Sequence, residues 1–321
     1  MLSRSAQGIY WMGRYLERTE CMCRLLQLQT EALVDRPARD IYVGWRRLYG
    51  VLRRIPPGGA LALPDGDDFT LADSYTLAGD LTFERSNPDS VWNCFAQGRE
   101  NARQMRHCIS GEMWQRLNLA YLRLRDMEIE DIWLALPEGF YAGLAAETDA
   151  FDGAAQATMY RDEGWSFLRL GGFIERAQFA PALLLQQLAI DAESDGYAEE
   201  DWASLLEASH ALEVYNRRYG AAVHPAAALD LLATDPLLPG SVYRSLKQIS
   251  GEFATLGAGP GADSGYAAQR LIGRLLSLMQ NEWPDSRDRE GLLRRVLSEA
   301  TNLHFMINEA YFDYPLTVRA G

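Results

Sequence analysis

The chain reads as all-α, an elaborated helical bundle built from two duplicated helical halves related by a pseudo-twofold axis. Three observations predict it. Apolar residues recur at helical spacing nearly throughout, with no segment that alternates like a strand. Gly–Pro segments punctuate that pattern at two places. One helical stretch returns 158 residues after its first appearance, far too long a period for a solenoid.

Along the chain, the first helix is expected over Ser3–Val34, where Ile9, Met12, Leu16, Cys23 and Leu26 recur at helical spacing. IPPGGALALPDGDD (Ile55–Asp68) and TLGAGPGADSG (Thr255–Gly265) read as surface loops. Asn87 before Pro88 predicts a cap with proline in the first turn, opening a helix to about Ser110. A second helix follows from Glu112 to about Leu136. Further helices fit Glu138–Tyr160, Glu163–Asp191, Ala198–Tyr219, Pro239–Phe253, Ala262–Asn281 and Asp285–Tyr311.

The repeat sets GIYWMGRYLERTECMCRLLQL (Gly8–Leu28) against SFLRLGGFIERAQFAPALLLQ (Ser166–Gln186). Gly13 then matches Gly171, Leu16 matches Ile174, and Glu17-Arg18 match Glu175-Arg176. Downstream, Pro88-Asp-Ser-Val-Trp92 resembles Pro239-Gly-Ser-Val-Tyr243 at an offset of 151. Two matches in the same order predict one domain over residues 1–321, with halves at approximately 1–137 and 138–321.

With 321 residues, 48% of them hydrophobic, the chain has ample material for a core. Acidic residues outnumber basic ones 44 to 31, giving a net charge of −13. That balance argues against a nucleic-acid partner, whose phosphates need a basic footprint, and against a polybasic membrane anchor. The excess sits in the second part: residues 1–130 hold 17 basic and 17 acidic side chains, residues 131–321 hold 14 and 27. Lys247 is the single lysine, and no phosphate-cradling Gly-x-x-x-x-Gly-Lys pattern occurs. Four cysteines make no disulfide framework, no run of about 18 apolar residues would span a membrane, and the opening MLSRSAQGIYWMGRYLER is too charged for an export segment. The expectation is a cytoplasmic protein with reduced thiols and no membrane partner.

Each repeat places Glu-Arg inside an apolar helix. Neighbouring helix residues point about 100° apart, so neither glutamate faces its own arginine. A pseudo-twofold would let Glu17 meet Arg176 while Glu175 meets Arg18, satisfying four groups that are costly to bury alone. One reading is that the pairs fix helix register. The other is that they line a polar cavity with Tyr10, Arg14 and Glu20 nearby, in which Glu17 or Glu175 would be the catalytic candidates. Gly172 stands where Arg14 stands in the first repeat, so such a site would be asymmetric.

A second cluster has no counterpart in the other half. Arg99, Arg103 and Arg106 fall within about a 60° arc if the helix is continuous, with Ser110 on the same face. Such a stripe suits an anion or an acidic partner, or equally an internal lattice with Glu100 and Glu112. Arg161, Asp162 and Glu163 would join that site or form the acidic start of the next helix. Elsewhere the chemistry is thin. Glu207-Ala-Ser-His210 has the spacing of a di-iron helix but no second copy, zinc spacing is missing, and no intrinsic metal or cofactor is expected. His304 reads as a core histidine.

MLSRSAQGIYWMGRYLERTE, RENARQMRHCISGEMWQRLN (Arg99–Asn118) and MYRDEGWSFLRLGGFIERAQ (Met159–Gln178) together resemble the α-E family, an all-helical domain named for its Glu-Arg motif, over essentially the whole chain. Family motif positions correspond to Arg14, Glu17, Arg18, Asn101, Arg103, Arg106, Arg161, Asp162, Glu175 and Arg176. Gly172 and Leu238-Pro239-Gly240 depart from the family pattern, where a larger, often basic residue and a Pro-Arg-Ser type stretch are expected. The resemblance implies a setting beside, or fused to, a circularly permuted ATP-grasp protein, with transglutaminase-like proteases and a proteasome-related peptidase also recurring there. It implies a helical accessory subunit of an amidoligase system, with ATP and Mg belonging to the partner. The alternatives are an enzyme using a buried Glu as general base, or a structural scaffold. Oligomerisation is left open.

Overall fold

The computed structural model describes residues 1–59, 70–193 and 199–313, and the described residues contain helices and no strand. In chain order these are α1 (Ser3–Asp35), α2 (Ala38–Leu52), α3 (Thr70–Thr82), α4 (Val91–Gln104), α5 (Gly111–Leu124), α6 (Ile129–Trp133) and α7 (Pro137–Thr158). They continue as α8 (Glu163–Glu193), α9 (Glu199–Ala208), α10 (Leu212–Tyr219), α11 (Pro225–Thr234), α12 (Val242–Leu256), α13 (Ala262–Ser277) and α14 (Arg289–Ile307). Single π-helical turns, Leu278–Glu282 and Asn308–Phe312, extend α13 and α14.

The two longest helices, α1 and α8, pack on each other and carry the rest: α4 and α7 lie against α1, and α12, α14 and α2 against α8. The expected apolar positions of α1, from Ile9 to Leu26, are all buried. The α1–α8 contact is unusually close. A Cβ on Gly13 would lie 2.3 Å from the Leu168 carbonyl oxygen, and one on Gly171 would lie 2.0 Å from that of Tyr10. Glycine at both positions is therefore what lets the backbones meet. Tyr10 and Leu168 are themselves 158 residues apart, so the two contacts exchange under the repeat offset.

Several expected boundaries move. Asn87 is buried and serves a turn, donating to the Asp80 carbonyl, while Ser90 caps α4 by accepting from the Asn93 amide. Ser241 caps α12 in the same way, so that helix starts at Val242 rather than Pro239. The helix expected from Asn87 to Ser110 ends at Gln104, and Ser110 caps α5. The helix expected over Glu112–Leu136 breaks after Leu124, because Glu128 and Asp131 form a reciprocal capping box that starts α6. The one expected from Ala198 to Tyr219 breaks at His210, which adopts a left-handed φ of 49° while the Ala211 amide closes back on the Leu206 carbonyl at 2.7 Å. Ala198 itself, and the Ile55–Asp68 loop beyond Gly59, lie outside the described residues. Helices α2, α3 and α11 were not anticipated. In α2 the apolar face is Ile41, Trp45 and Leu48, with the buried Trp45 indole donating to Ser74 at 2.9 Å.

Candidate functional site

Both Glu-Arg pairs sit at the α1–α8 crossing, one turn beyond the glycines, and each glutamate reaches the arginine of the other helix. Arg18 Nε donates to Glu175 Oε1 at 2.6 Å. Arg176 grips Glu17 with both arms, Nε to Oε1 at 2.6 Å and Nη2 to Oε2 at 2.8 Å. The paired fork is the geometry in which guanidinium binds carboxylate best.

At the other carboxylate, Glu175 is saturated with guanidinium, though Arg18, Asp89, Glu175 and Gln178 also line a cavity of about 210 Å3. Glu175 is 3% exposed and Arg14 5%. Arg14 Nε donates to Glu175 Oε2 at 2.8 Å, so this carboxylate carries two guanidiniums. Arg14 continues to Gln178 Oε1 at 2.9 Å, and Gln178 donates onward to the Ala300 carbonyl. Arg18 also holds Asp89, which belongs to the Pro88-Asp-Ser stretch before α4. Burial alone would raise the Glu175 carboxyl, yet the charges of Arg14 and Arg18 outweigh it and hold the group down at about 2. Tyr10 completes this end: its hydroxyl meets His304 Nδ1 at 2.9 Å and its ring stacks on the imidazole. Burial, aided by the charge of Arg14, lowers His304 to about 4, so it is neutral at neutral pH. It is a hydrogen-bonded histidine at the edge of the core.

The Glu17 end is open and short of positive charge. Glu17 has the Arg176 fork and a Cys21 thiol at 3.7 Å. One turn on, Glu20 pairs with Arg24 at 2.5 Å, and Arg24 is shared with Asp149 of α7 at 3.2 Å. Asp152, also on α7, takes Arg169 of α8 at 3.1 Å. Burial, then the charge of Glu17, pushes the Glu20 carboxyl up to about 8. Glu17, Glu20 and Arg176 form the polar floor of a cavity of about 320 Å3 whose wall includes Leu25, Phe179 and Leu183. Asp149, Asp152 and Arg169 were missed from sequence. The i, i+3 spacing of the two aspartates was legible, but not the fact that this face of α7 meets α1.

The arginine segment is a different kind of structure. Because α4 ends at Gln104, Arg106 and Ser110 leave the helix and the expected single stripe does not form. Arg99 donates to Asn118 at 2.6 Å and lies over Trp114 and Tyr121. Arg103 pairs with Glu100 at 2.6 Å and is exposed, and Arg106 packs over Trp114. Glu112 pairs with Arg116 instead. Asn101 is half-buried in the last turn of α4. Arg161 donates to the Gln156 carbonyl at the end of α7 and stacks on Trp165, while Asp162 accepts from the Gly164 amide at 2.9 Å, capping α8. Those two side chains are employed at helix ends.

All four cysteines are free. Among the described residues no group of three His, Cys, Asp or Glu side chains is placed to hold a metal ion, and no helix is long and apolar enough to cross a membrane.

Uncharacterised proteins of Mycobacterium bovis and of two Mycobacterium tuberculosis strains are 24–25% identical, each alignment covering 95% of this chain and 36% of the relative. The chain thus spans about a third of the length of these curated relatives. No solved structure matches. A family model described as a predicted alpha-helical domain with a conserved ER motif matches residues 1–312, over a region that includes both crossed Glu-Arg pairs, and the chain belongs to that Alpha-E family.

Proposed function

We propose that the chain is a helical accessory module of an ATP-grasp-type amidoligase system, positioning a partner or substrate for amide-bond formation without carrying out the bond chemistry. One observation weighs most: both motif glutamates are already occupied. Glu175 is bound by two guanidiniums and held at about 2, which makes it a poor proton acceptor near neutral pH. Glu17 is gripped bidentately. This argues against either as a general base and for the pairs as the clamp that sets the α1–α8 crossing. The partner class comes from the family resemblance. The relatives, of which the matched region is about a third, leave room for a fused neighbouring domain. In this reading the module works in the cytoplasm, and the circularly permuted ATP-grasp partner supplies ATP and Mg.

We further infer that the fold arose by duplication, with halves related by a pseudo-twofold axis at the crossing. Support comes from the exchanged contacts of Gly13 and Gly171, the crossed ion pairs, and the matching Ser90 and Ser241 caps.

The test is co-expression with a circularly permuted ATP-grasp protein from the same source, followed by co-purification and a ligation assay. Expected are a stable complex and a ligation rate that falls when the helical chain is left out. Arg103→Ala with Arg106→Ala, both at the exposed edge, should weaken the complex about tenfold while the fold persists. Full ligation by the partner alone, without a complex, would overturn the reading.

A further inference from the structure

The two ends of the crossing differ by one cation. Glu175 has Arg14 and Arg18; Glu17 has Arg176, and the position equivalent to Arg14 is Gly172. A Cβ on Gly172 would stand 3.5 Å from Glu17 Oε2, in ordinary contact, so nothing but the missing side chain separates this backbone from the carboxylate. The space there is lined by Glu17, Glu20, Gly172 and Arg176, and it shares Glu17, Glu20 and Arg176 with the cavity of about 320 Å3.

The charges of the seam do not cancel. Glu17, Glu20, Asp149 and Asp152 face Arg24, Arg169 and Arg176 from α1, α7 and α8. Arg176 is taken by Glu17, Arg169 by Asp152, and Arg24 is divided between Glu20 and Asp149. Glu20 and the more exposed Asp149 therefore share a single cation, at 2.5 and 3.2 Å. An uncompensated charge in a partly buried site is costly unless a proton or a counter-ion neutralises it. Glu20, pushed up to about 8, is where that surplus shows. A bare metal ion does not suit the site, since no three metal-ligating side chains converge among the described residues. The same cavity is lined by the apolar Leu25, Phe179, Ala180 and Leu183, with Arg24, Asp149, Ser209 and His210 also at its surface. The volume is at the small end of ligand pockets, roughly 300–1,000 Å3.

We propose that this cavity binds a small organic cation, a primary amine with an apolar body, whose ammonium sits by Glu17 and Glu20. The apolar body lies along Phe179 and Leu183. An ammonium meets both demands of the site, a positive charge and hydrogen-bond donors for two carboxylates. This inference stands on the cavity and does not rest on the accessory role.

Benzylamine and the neutral benzyl alcohol, titrated separately into the full chain and followed by calorimetry, test it. Benzylamine is expected to bind at least about tenfold more tightly than the alcohol. Gly172→Lys, which supplies the cation from within, and Glu20→Gln, which removes the surplus charge at constant shape, should each weaken benzylamine binding by about tenfold or more. Helical circular dichroism identifies the folded variants, and either one suffices. Equal binding of amine and alcohol, no benzylamine binding at millimolar concentration, or unchanged binding in a folded variant would overturn the proposal.

Discussion

At the Glu175 end of the α1–α8 crossing, two arginines, a glutamine and a tyrosine–histidine pair gather around one carboxylate. At the Glu17 end the same dipeptide meets one arginine, a neighbouring glutamate and a cavity. The backbones meet through equivalent glycines in both cases. Two repeat positions separate the ends: Arg14 against Gly172, which removes a cation, and Gln178 against Glu20, which adds a carboxylate. A motif therefore does not carry its electrostatics with it; the residue one turn away changes how many cations its carboxylate meets. Arg14 and Arg18 hold Glu175 at about 2, while burial and the charge of Glu17 push Glu20 up to about 8.

The largest expected effect strikes what the two ends share. Gly171→Val places a side chain against the Tyr10 carbonyl, where even a Cβ would be 2.0 Å away, and Gly13→Val does the same against Leu168. Neither neighbour can yield without moving a central helix. Each change is expected to cost more than about 4 kcal/mol or prevent folding, as read by urea denaturation. Near-native stability in either would refute the close approach.

Next in size is the contrast between the ends. Glu175→Gln leaves Arg14 buried without its counter-ion and Arg18 with Asp89 alone, at a cost of about 3–5 kcal/mol. Glu17→Gln should cost about 1–2 kcal/mol less, because Glu20 stands beside Arg176 and can take up its charge. Equal costs in chemical denaturation would erase the distinction.

The smallest effect is the most diagnostic, because the two carboxyls work with opposite sign. Glu175 is depressed, so its stabilisation is full above its ordinary pKa of 4.5 and is lost as pH falls toward 2. Glu20 is raised, so its contribution is most favourable below 4.5 and is lost as pH climbs through about 8. Glu20→Gln should therefore flatten the stability profile between pH 5 and 8 and raise Tm at pH 8 by roughly 2–4 °C, the size expected for about 1 kcal/mol. A thermal profile parallel to that of the parent chain would count against a surplus carboxylate at this end.

The helical class and the two long helices were legible because burial on one face imposes a 3.6-residue period on the sequence itself, as from Ile9 to Leu26. The repeat offset was enough to pair Glu17 with Arg176 and Glu175 with Arg18, since costly charges must find partners across an interface. Short helices were harder. Periodicity alone did not reveal the breaks at Glu128 and His210, which depend on a capping box and a left-handed residue. The arginine stripe failed for a related reason: it assumed a helix continuing past Gln104, and a spacing has no face once the helix stops.

The sequence by itself determined which residues repeat, which are apolar, and that Gly172 replaces Arg14, because these are properties of order along a chain. Only the tertiary structure decided that Asp149 and Asp152 of α7 meet Arg24 and Arg169, that Arg161 and Asp162 serve helix ends, and that a cavity opens beside Glu17. Charge balance at a point in space sums contributions from helices more than a hundred residues apart. No local pattern records that sum, and it is formed when the helices pack.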